Sequence, residues 1–376
     1  MMKILEVVFD GQFAGAQVWI YNFLKWLKKV DLEGIFKHLD VELVVAKNGD
    51  FLRKVLDEGL VRKVYNLNFP YEVGLKDVIS FFKMLKVIEI SSPDVIHVHT
   101  SKMAALVRLA VFFRTFFEKG LWSGGENYPK VVYHVHGFYF KRPGISKIYE
   151  LIEKILIKCT DAFICVNEDD WKWLNDLGVK KAYLVKNFGM FNYENINEGI
   201  RLNKFTDRNI DILWASRLAE PKDVDTLIAL CEEFRDFNVV VAGSGDKRYE
   251  EQLRRIDNLG WVKYLGYVER ERLFSLYAKS KVHLLLSRAE AHPLSVLEAA
   301  SFGTPTVGWK VKGMGDVEYM GLSVDYGDLE HLYRLLRKVL KNPVEWNVFS
   351  KRAIKLVGEE RQENFLSVIK IFEKVV

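Results

Sequence analysis

The chain has 376 residues, a length typical of two domains. Hydrophobic residues make up 49% and charged residues 28%, which excludes a disordered chain, since such chains lack the apolar side chains that offset ordering entropy. The 55 Lys and Arg against 50 Asp and Glu give a net charge of +5, spread over both halves. That excludes a dedicated nucleic-acid-binding protein, but it suits local contact with anionic phosphates.

The cysteines and the apolar runs indicate in which cellular compartment the protein is expected. Cys159, Cys165 and Cys231 lack the paired spacing of a disulfide framework or a structural zinc site, so a reducing compartment is expected. Glu6 falls inside the first apolar run, which is typical of a buried strand rather than a signal peptide. The longest apolar segment, residues 103–117, contains two arginines, so no membrane-spanning helix is expected. We therefore predict a cytoplasmic protein.

Short apolar runs alternate with segments of helical periodicity along the chain. In the first half, a helix is predicted at residues 16–27, and strands are predicted at residues 4–9, 41–45, 95–98, 131–135, 163–166 and 183–185. In the second half, a helix is predicted at residues 224–234, and strands at residues 212–215, 239–242, 262–264, 282–286 and 306–308. Strands that alternate with helices predict parallel sheets covered by helices on both faces.

A polar, Asn-rich segment at residues 193–208 predicts a linker between these two similarly built halves. Parallel sheets of this kind bind ligands at the carboxyl ends of their strands. Two such sheets facing each other would form a cleft, so the functional residues are expected in the loops that follow the strands.

The loop after the predicted strand at residues 282–286 carries the strongest local pattern. Pro293 suits the first turn of a helix, because its missing N–H is not needed there and its φ angle is already fixed. The helix start would then present the free N–H groups of Leu294 and Ser295 together with its positive dipole end. That arrangement predicts a binding site for an anion such as a diphosphate.

Two carboxylates, Glu290 and Glu298, flank this helix start. Glu298 lies one turn into the helix, where it could accept hydrogen bonds from ribose hydroxyls, and Glu290 lies in the loop before it. The alternative interpretation is an ordinary strand–loop–helix connection whose glutamates are solvated.

The same segment resembles the Glu-x7-Glu motif of the retaining glycosyltransferases with the GT-B fold (family 4, group 1 type). Glu290 and Glu298 match the two ends, and Ala291-His292-Pro293 replaces the usual glycine-rich middle. The resemblance implies that Glu298 holds the ribose of a nucleotide sugar and that Glu290 lies near the donor sugar.

Two cations, Arg217 and Lys222, follow the predicted strand at residues 212–215. Cations at a strand's carboxyl end could neutralise a diphosphate leaving group, although a solvated loop with two charges gives the same pattern. The family typically has Arg and Lys at this spacing, and the resemblance implies that they bind the donor phosphates. Asp223 stands where the family usually has Gly, and it could serve as an N-cap.

Three weaker segments also point to the donor, each with a plain turn as its alternative. Gly243 follows a strand and could allow close approach of a nucleotide to the backbone. Tyr267 and Val268 resemble the family's segment that contacts the base through its backbone. Gly15 and Ala16 resemble a small-residue loop that closes over the donor phosphate and the acceptor.

Four histidines form two His-x-His pairs, His97 with His99 and His134 with His136. Alternation along a strand places each pair on one face of the sheet. A metal site is the less favoured interpretation, because no accompanying carboxylate motif is present. We expect His97 and His134 to be buried and hydrogen-bonded, and His99 and His136 to lie at the strand ends. The resemblance implies that His136 reaches the donor sugar.

Residues 97–110, 148–150 and 161–168 resemble the members that extend polyprenyl-diphosphate-linked saccharides. On that basis His99, Lys102 and Phe138 are expected on the acceptor side.

The aromatic segment at residues 111–122, with Arg114 and Lys119, could rest on a membrane interface or pack against the sheet. Residues 138–142 are a second candidate for this surface contact.

The sequence therefore predicts an α/β protein of the GT-B class, with two Rossmann-like domains whose parallel sheets face each other across a cleft. Residues 1–192 would bind the acceptor and residues 209–358 the nucleotide sugar, with a last helix at residues 359–376 packing back on the first domain.

The predicted activity is transfer of a sugar from a nucleotide sugar to an acceptor hydroxyl on a lipid-linked saccharide or other glycan, and the resemblance implies retention of the anomeric configuration. The expected catalytic residues are His136, Glu290, Arg217 and Lys222, with no metal or other cofactor. No carboxylate stands out as a covalent nucleophile, so front-face attack assisted by the leaving phosphate is the expected mechanism. An anionic membrane surface is a further expected partner, and nucleic acid is not. The alternatives are a nucleotide-sugar epimerase of the same architecture and a non-catalytic sugar- or lipid-binding module.

Overall fold

A computed structural model describes nine stretches of the chain: residues 2–32, 39–69, 74, 76–121, 128–138, 146–187, 203–258, 260–358 and 363–376. The chain divides into two compact units. The first comprises Met1–Met190 together with Gln362–Val376, and the second comprises Phe191–Arg361. No helix in the described stretches combines the length and the apolar character that crossing a bilayer requires.

The first unit contains a seven-stranded parallel sheet in the order β3-β2-β1-β4-β5-β6-β7. Its strands are β1 (Met2–Val8), β2 (Leu39–Val45), β3 (Lys63–Asn66), β4 (Val95–Val98), β5 (Lys130–Val135), β6 (Ala162–Cys165) and β7 (Ala182–Leu184). The helices between them are α1 (Gly15–Leu32), α2 (Asp50–Asp57), α3 (Lys76–Ser91), α4 (Ser101–Leu121), α5 (Ser146–Leu156) and α6 (Glu168–Asp176). The central position of β1 makes the sheet doubly wound.

The two faces of this sheet differ in chemistry because successive side chains of a strand point to opposite faces. One face carries apolar residues such as Val7, Val98 and Val135, which pack with α3 and α4 in one buried core. The opposite face carries Glu6 and the four histidines, and Trp19 of α1 packs against all four imidazoles.

The second unit contains a six-stranded parallel sheet in the order β10-β9-β8-β11-β12-β13. Its strands are β8 (Ile210–Ala215), β9 (Val239–Ala242), β10 (Val262–Tyr264), β11 (Ser280–Leu285), β12 (Thr306–Lys310) and β13 (Ser323–Asp325). Its helices are α7 (Val224–Glu233), α8 (Lys247–Asp257), α9 (Arg270–Lys279), α10 (Leu294–Ser301), α11 (Gly315–Met320), α12 (Leu329–Lys341) and α13 (Pro343–Gly358).

The last helix, α14 (Glu363–Val375), belongs to the first unit. The Phe365 ring packs 5.4 Å from Trp19 and 5.5 Å from Phe23, and Phe372 packs 4.9 Å from His97. α14 therefore covers part of the sheet face that carries the histidines.

The predicted linker at residues 193–208 is wrong at its carboxyl end, and residues 193–202 lie outside the described part of the chain. Arg208 is buried in the second unit, where its guanidinium donates to Ser280 O, Phe302 O and Thr304 Oγ1 at 2.6 Å each. Burial lowers its pKa to about 10. The polar sequence around Arg208 did not predict its burial, because buried carbonyl groups rather than water accept the hydrogen bonds of its guanidinium.

Candidate active site

Two neighbouring strands bring the predicted donor residues of the second unit together. β8 and β11 pair in parallel, with Leu213 opposite His283 and Trp214 opposite Leu284. Because the carboxyl ends of parallel strands meet at one edge of a sheet, the loops at residues 216–223 and 286–293 begin side by side.

Lys222 and Glu290 form an ion pair across these two loops, with Lys222 Nζ donating to Glu290 Oε1. Their side chains are only 21% and 14% exposed. The Glu290 N–H donates to Lys312 O at 3.1 Å. Gly313 approaches so closely that a Cβ atom there would lie 2.0 Å from Glu290 O. The turn after β12 therefore fixes the main chain of Glu290, and Glu290 fixes the ammonium of Lys222.

Arg288 is a residue of this edge that the sequence did not single out. Its N–H donates to Pro221 O at 2.9 Å, and its guanidinium lies 3.1 Å from the Glu220 carboxylate and 3.3 Å from that of Asp223. Arg288 thus ties the two loops together. A single charge in a loop gave no signal of this role, because its partners lie 65 to 68 residues away in sequence.

Asp223, which replaces the family's usual glycine, has a left-handed backbone with φ of 53° and ψ of 52°. Glycine reaches that region without steric cost, and Asp is among the residues that tolerate it. The Asp223 carboxylate accepts hydrogen bonds from Thr226 Oγ1 at 3.0 Å and Trp309 Nε1 at 3.3 Å. Asp223 occupies the predicted N-cap position of α7, although its side chain makes no capping hydrogen bond to the helix.

Arg217 differs from Lys222 in its surroundings. It is exposed, and within the described stretches its side chain makes neither a hydrogen bond nor an ion pair. Of the two predicted phosphate-binding cations, Lys222 is held by a carboxylate, whereas Arg217 is available to an incoming anion.

The helix start predicted near Pro293 is present, one residue later than expected. Pro293 is the N-cap with φ of −72°, and α10 begins at Leu294. Leu294 and Ser295 are half-buried at this start. The positive end of α10 therefore lies in the same loop as Glu290.

Glu298 lies inside α10 and is only 8% exposed. Arg270 NH2 lies 3.0 Å from its Oε1, and the Tyr277 hydroxyl donates to its Oε2 at 3.4 Å. Burial raises the pKa of Glu298, and Arg270 opposes that shift. Each carboxylate oxygen has a second lone pair, so Glu298 can still accept from a ligand hydroxyl. Neither Arg270 nor Tyr277 was predicted, because both belong to α9, a helix with no motif.

The weaker donor candidates of the second unit also lie at strand ends. Gly243 has φ of 147°, and a Cβ atom there would lie 1.8 Å from Ser216 O. The close approach that this glycine allows is therefore to the main chain of Ser216 rather than to a nucleotide. Its N–H donates to Gly266 O at 2.7 Å. Tyr267 is 62% exposed, whereas Val268 packs against the core beneath it.

In the first unit, Gly15 and Ala16 are the first two residues of α1. A Cβ atom at Gly15 would meet nothing within 4 Å, so this glycine is not required by packing. The tightly packed glycine of the same loop is Gly11, where a Cβ atom would lie 2.2 Å from Lys47 O.

The four histidines form one hydrogen-bonded cluster around Glu6. The Glu6 carboxylate lies 2.9 Å from His97 Nδ1 and 2.8 Å from His99 Nε2. His97 Nε2 lies 3.1 Å from His134 Nδ1, and His99 Nδ1 lies 3.1 Å from His136 Nε2. The predicted side-by-side placement of each pair, and the burial of His97 and His134, are confirmed. His99 and His136 directly follow β4 and β5, as predicted, and His99 is only 2% exposed.

Burial sets the charge of this cluster. It lowers the pKa of His97, His99 and His136 to about 3, so these imidazoles are neutral at neutral pH, and it raises the pKa of Glu6. Ring nitrogens of His97, His99 and His134 lie within 4.8 Å of one another. Neutral imidazoles oriented by a carboxylate can ligate a metal, so within the described residues this trio is the group that could hold one.

Two predicted acceptor-side residues are engaged within the first unit. Lys102 Nζ lies 2.8 Å from Asp77 Oδ1. Phe138 is 4% exposed, and its ring packs 4.9 Å from that of Trp173. The expected surface position of Phe138 is therefore wrong, because its N–H and ring are both turned into the fold. Residues 139–142, the rest of that candidate surface, lie outside the described part of the chain.

Two family profiles match the chain. The profile described as "Glycosyltransferase Family 4" matches residues 13–188, and that described as "Glycosyl transferases group 1" matches residues 197–356. One relative is UDP-Gal:alpha-D-GlcNAc-diphosphoundecaprenol alpha-1,3-galactosyltransferase of Escherichia coli, 24% identical over 96% of this chain and 95% of its own. Another is the O-antigen biosynthesis glycosyltransferase WbnH of Escherichia coli, 22% identical over 98% of each chain.

Solved structures show the same fold over the full length. HepE of Anabaena, in complex with UDP and glucose, superposes with a TM-score of 0.73 at 17% identity, covering 100% of this chain and 98% of its own. Sucrose-phosphate synthase of Thermosynechococcus elongatus gives 0.74 at 15% identity, covering 100% and 99%. Since the family profiles match both units and each unit is a doubly wound parallel sheet, the chain belongs to the family 4 glycosyltransferases with the GT-B fold and is a transferase enzyme.

Proposed function

We propose that the enzyme transfers a sugar from a nucleoside-diphosphate donor to a hydroxyl of a lipid-linked saccharide, with retention of the anomeric configuration. The observation that carries the donor assignment is the edge of β8 and β11, where Arg217, the Lys222–Glu290 pair and the start of α10 come together. The acceptor class rests on the Escherichia coli relative whose name specifies a diphosphoundecaprenol-linked substrate. A role in polysaccharide assembly follows from both.

In this proposal the second unit binds the donor and the first unit binds the acceptor. Arg217 and Lys222 would neutralise the charge that develops on the departing diphosphate, and the positive end of α10 would add to it. Glu298 would hold the ribose. Since two side-chain cations and a helix dipole face the phosphates, we propose that the reaction needs no divalent metal.

The chemical step would occur on one face of the donor sugar. The bond between the sugar's anomeric carbon and the diphosphate oxygen breaks, and a bond to the acceptor oxygen forms on the same face. The acceptor's hydroxyl proton passes to the departing phosphate oxygen, so charge and atoms balance. Glu290 would stand beside the sugar, and His136, a neutral imidazole with its pKa lowered to about 3, would contact the sugar without adding charge.

A lipid-linked acceptor would keep the enzyme at a membrane surface. We propose a peripheral position on the cytoplasmic face. Cys159, Cys165 and Cys231 form no disulfide with one another, which supports a reducing compartment.

The test is a thermal-shift screen with UDP-, GDP-, ADP- and dTDP-sugars on the full chain. One nucleotide class should raise the melting temperature, and Lys222→Ala should abolish the shift, whereas Lys351→Ala, an exposed lysine of α13, should not. An unchanged shift in Lys222→Ala would refute the diphosphate assignment.

Product analysis separates the alternatives. NMR of the product should show the donor's anomeric configuration, and activity should survive EDTA. An epimerised nucleotide sugar formed without acceptor would establish an epimerase, and binding without turnover would establish a non-catalytic module.

A further inference from the structure

Three consecutive helices of the first unit turn large apolar side chains to the outside. Of the 21 exposed large apolar residues among the described side chains, twelve lie on α3, α4 and α5. They are Val78, Ile79, Phe82 and Ile90 on α3, Leu109, Phe112, Phe113 and Phe116 on α4, and Ile148, Leu151, Ile152 and Ile155 on α5. Apolar surface concentrated in this way marks a contact site rather than scattered exposure.

The spacing on α4 and α5 makes each set one stripe. Leu109 is followed by exposed phenylalanines three, four and seven positions later, and Ile148 is followed by exposed aliphatic residues at the same intervals. Residues at these intervals share one face of a helix. In a surface helix whose outer side faces water, apolar residues at this spacing normally form the side that is buried against the core.

The inner face of α5 carries a buried carboxylate beside apolar residues, since Leu156 is 3% exposed and Tyr149 packs against the core. Glu153 is 7% exposed and pairs with Arg108 of α4, whose NH1 and NH2 donate to its carboxylate at 2.8 and 2.9 Å. Arg108 is fully buried and lies 4.8 Å from the centre of the Tyr133 ring. Burying a charge pair is costly, whereas burying an isoleucine stabilises the fold. α5 thus buries a carboxylate while four large aliphatic side chains stay on its outer side, which indicates an apolar environment outside it.

The stripes belong to one surface. α3 and α4 are joined by the rings of Phe81 and Phe113, 5.5 Å apart, and Phe81 also contacts Phe82 at 5.5 Å. α4 and α5 are joined by the Arg108–Glu153 pair. We call the outward side of α3, α4 and α5 the three-helix face.

The exposed charges on and beside the three-helix face are mostly positive, although Lys154 Nζ lies 2.7 Å from the half-buried Glu150 carboxylate. On α3, on α5 and just after α5 there is one exposed carboxylate among the described side chains, Glu89, against six exposed lysines: Lys76, Lys83, Lys86, Lys147, Lys154 and Lys158. At 100° per residue, the lysines of α5 lie along one border of its apolar stripe. Phenylalanine and isoleucine flanked by lysine is the composition of a surface that enters the interface of an anionic bilayer.

We infer that the three-helix face docks the first unit on a lipid bilayer with anionic head groups. A second copy of the chain is disfavoured, because it would bring two sets of lysines together. The inference rests on the proposed function in one respect, the biological role of the contact, which would be to hold the enzyme where a lipid-linked acceptor lies. The contact itself rests on the apolar stripes of α4 and α5, the burial of Glu153 on α5 and the lysines.

The experiment is sedimentation of the full chain with vesicles of phosphatidylcholine alone and of phosphatidylcholine with 30% phosphatidylglycerol. The unaltered protein should bind the anionic vesicles. Two variants, Phe112→Glu/Phe116→Glu and Leu151→Glu/Ile155→Glu, should each lose at least about tenfold in binding, because they remove inserted apolar area and add repelled charge. The matched control is Val344→Glu/Val348→Glu, which alters two exposed valines of α13 in the second unit and should bind unchanged. Circular dichroism confirms that the variants fold.

Equal binding by the face variants and the control, or no binding by the unaltered protein, would overturn the inference. So would a dimer in analytical ultracentrifugation that only the face variants dissociate. Transfer to a water-soluble acceptor without a lipid chain should be unchanged in both face variants, whereas transfer to a vesicle-borne acceptor should fall. Vesicle binding without any transferase activity would refute the proposed function but would still support the three-helix face as a membrane-docking surface.

Discussion

The ion pair of Lys222 with Glu290 is one of the contacts that join the two loops on which donor binding is proposed to depend. The carboxylate holds the ammonium in place, but it also brings a negative charge close to where a diphosphate would bind. This negative charge weakens the local attraction for an anion. We therefore expect Glu290 to contribute to sugar transfer itself and not only to the positioning of Lys222.

Glu290→Gln should separate these two effects. The amide oxygen can still accept from Lys222, so the affinity for the nucleoside diphosphate should stay within about twofold or improve. The rate of transfer should fall about 10- to 100-fold, the loss typical of removing one charged contact in the transition state. Calorimetry with the nucleotide and initial rates at saturating donor would measure both quantities.

Glu220→Gln is the matched control for that substitution. It removes one carboxylate from the same pair of loops, but the Glu220 side chain is 76% exposed, and its ion-pair partner among the described residues is the Arg288 guanidinium. Its affinity and rate should equal those of the unaltered enzyme. A large loss of affinity in Glu290→Gln would mean that Glu290 serves only to position Lys222.

At the residue scale, the sequence predicted where the candidate side chains lie but not what holds them. Lys222, Glu290 and Glu298 follow buried strands at recognisable spacing, so their placement could be read from the chain. Their partners could not, because Arg270 and Arg288 are charges without a motif, and each acts through a contact that only folding creates.

At the element scale, most of the predicted strands are buried on both faces, where continuous apolar runs leave little ambiguity, although the edge strands β7 and β10 were also predicted. The missed strands lie at sheet edges: β3 has exposed or half-buried residues throughout, and β13 is three residues long. α5 was missed as a surface element for a different reason. Its apolar periodicity is real but points outward, and no pattern in one helix shows which side faces the core.

Loop glycines allow a prediction at the same scale. Gly243→Ala should destabilise the second unit by at least about 2 kcal/mol, because the alanine would need a left-handed backbone and its Cβ atom would lie 1.8 Å from Ser216 O. Gly15→Ala should leave stability unchanged, since a Cβ atom there meets nothing. Urea unfolding measures both. Equal stability of the two variants would contradict the tight packing at Gly243.

On the scale of the whole molecule, the sheet of each unit carries titratable side chains that are deeply buried. In the first unit, Glu6 and the histidines lie beneath Trp19 of α1 and Phe372 of α14. The last helix thus shields neutral imidazoles from water. In the second unit, buried His283 bonds to Thr306 Oγ1 at 3.0 Å and has its pKa lowered to about 3.

These histidines should make the enzyme sensitive to acid. In the unfolded chain a histidine takes up a proton near pH 6.5, whereas burial in the fold lowers the pKa of His97, His99, His136 and His283 to about 3. Between those values the unfolded state binds more protons, so the free energy of unfolding should fall as the pH drops from about 6.5. Each such imidazole contributes about 1.4 kcal/mol per pH unit.

Glu6 acts in the opposite direction, because its raised pKa favours the fold at low pH and that contribution is lost as the pH rises through the raised value. Urea unfolding at pH 7.5, 6.0 and 5.0 should still show the fall, since one carboxyl opposes several imidazoles. His97→Gln and His283→Gln should each reduce the slope below pH 6.5 by about 1.4 kcal/mol per pH unit, whatever their stability at pH 7.5. A slope that neither substitution changes would mean that these imidazoles are protonated in the folded enzyme.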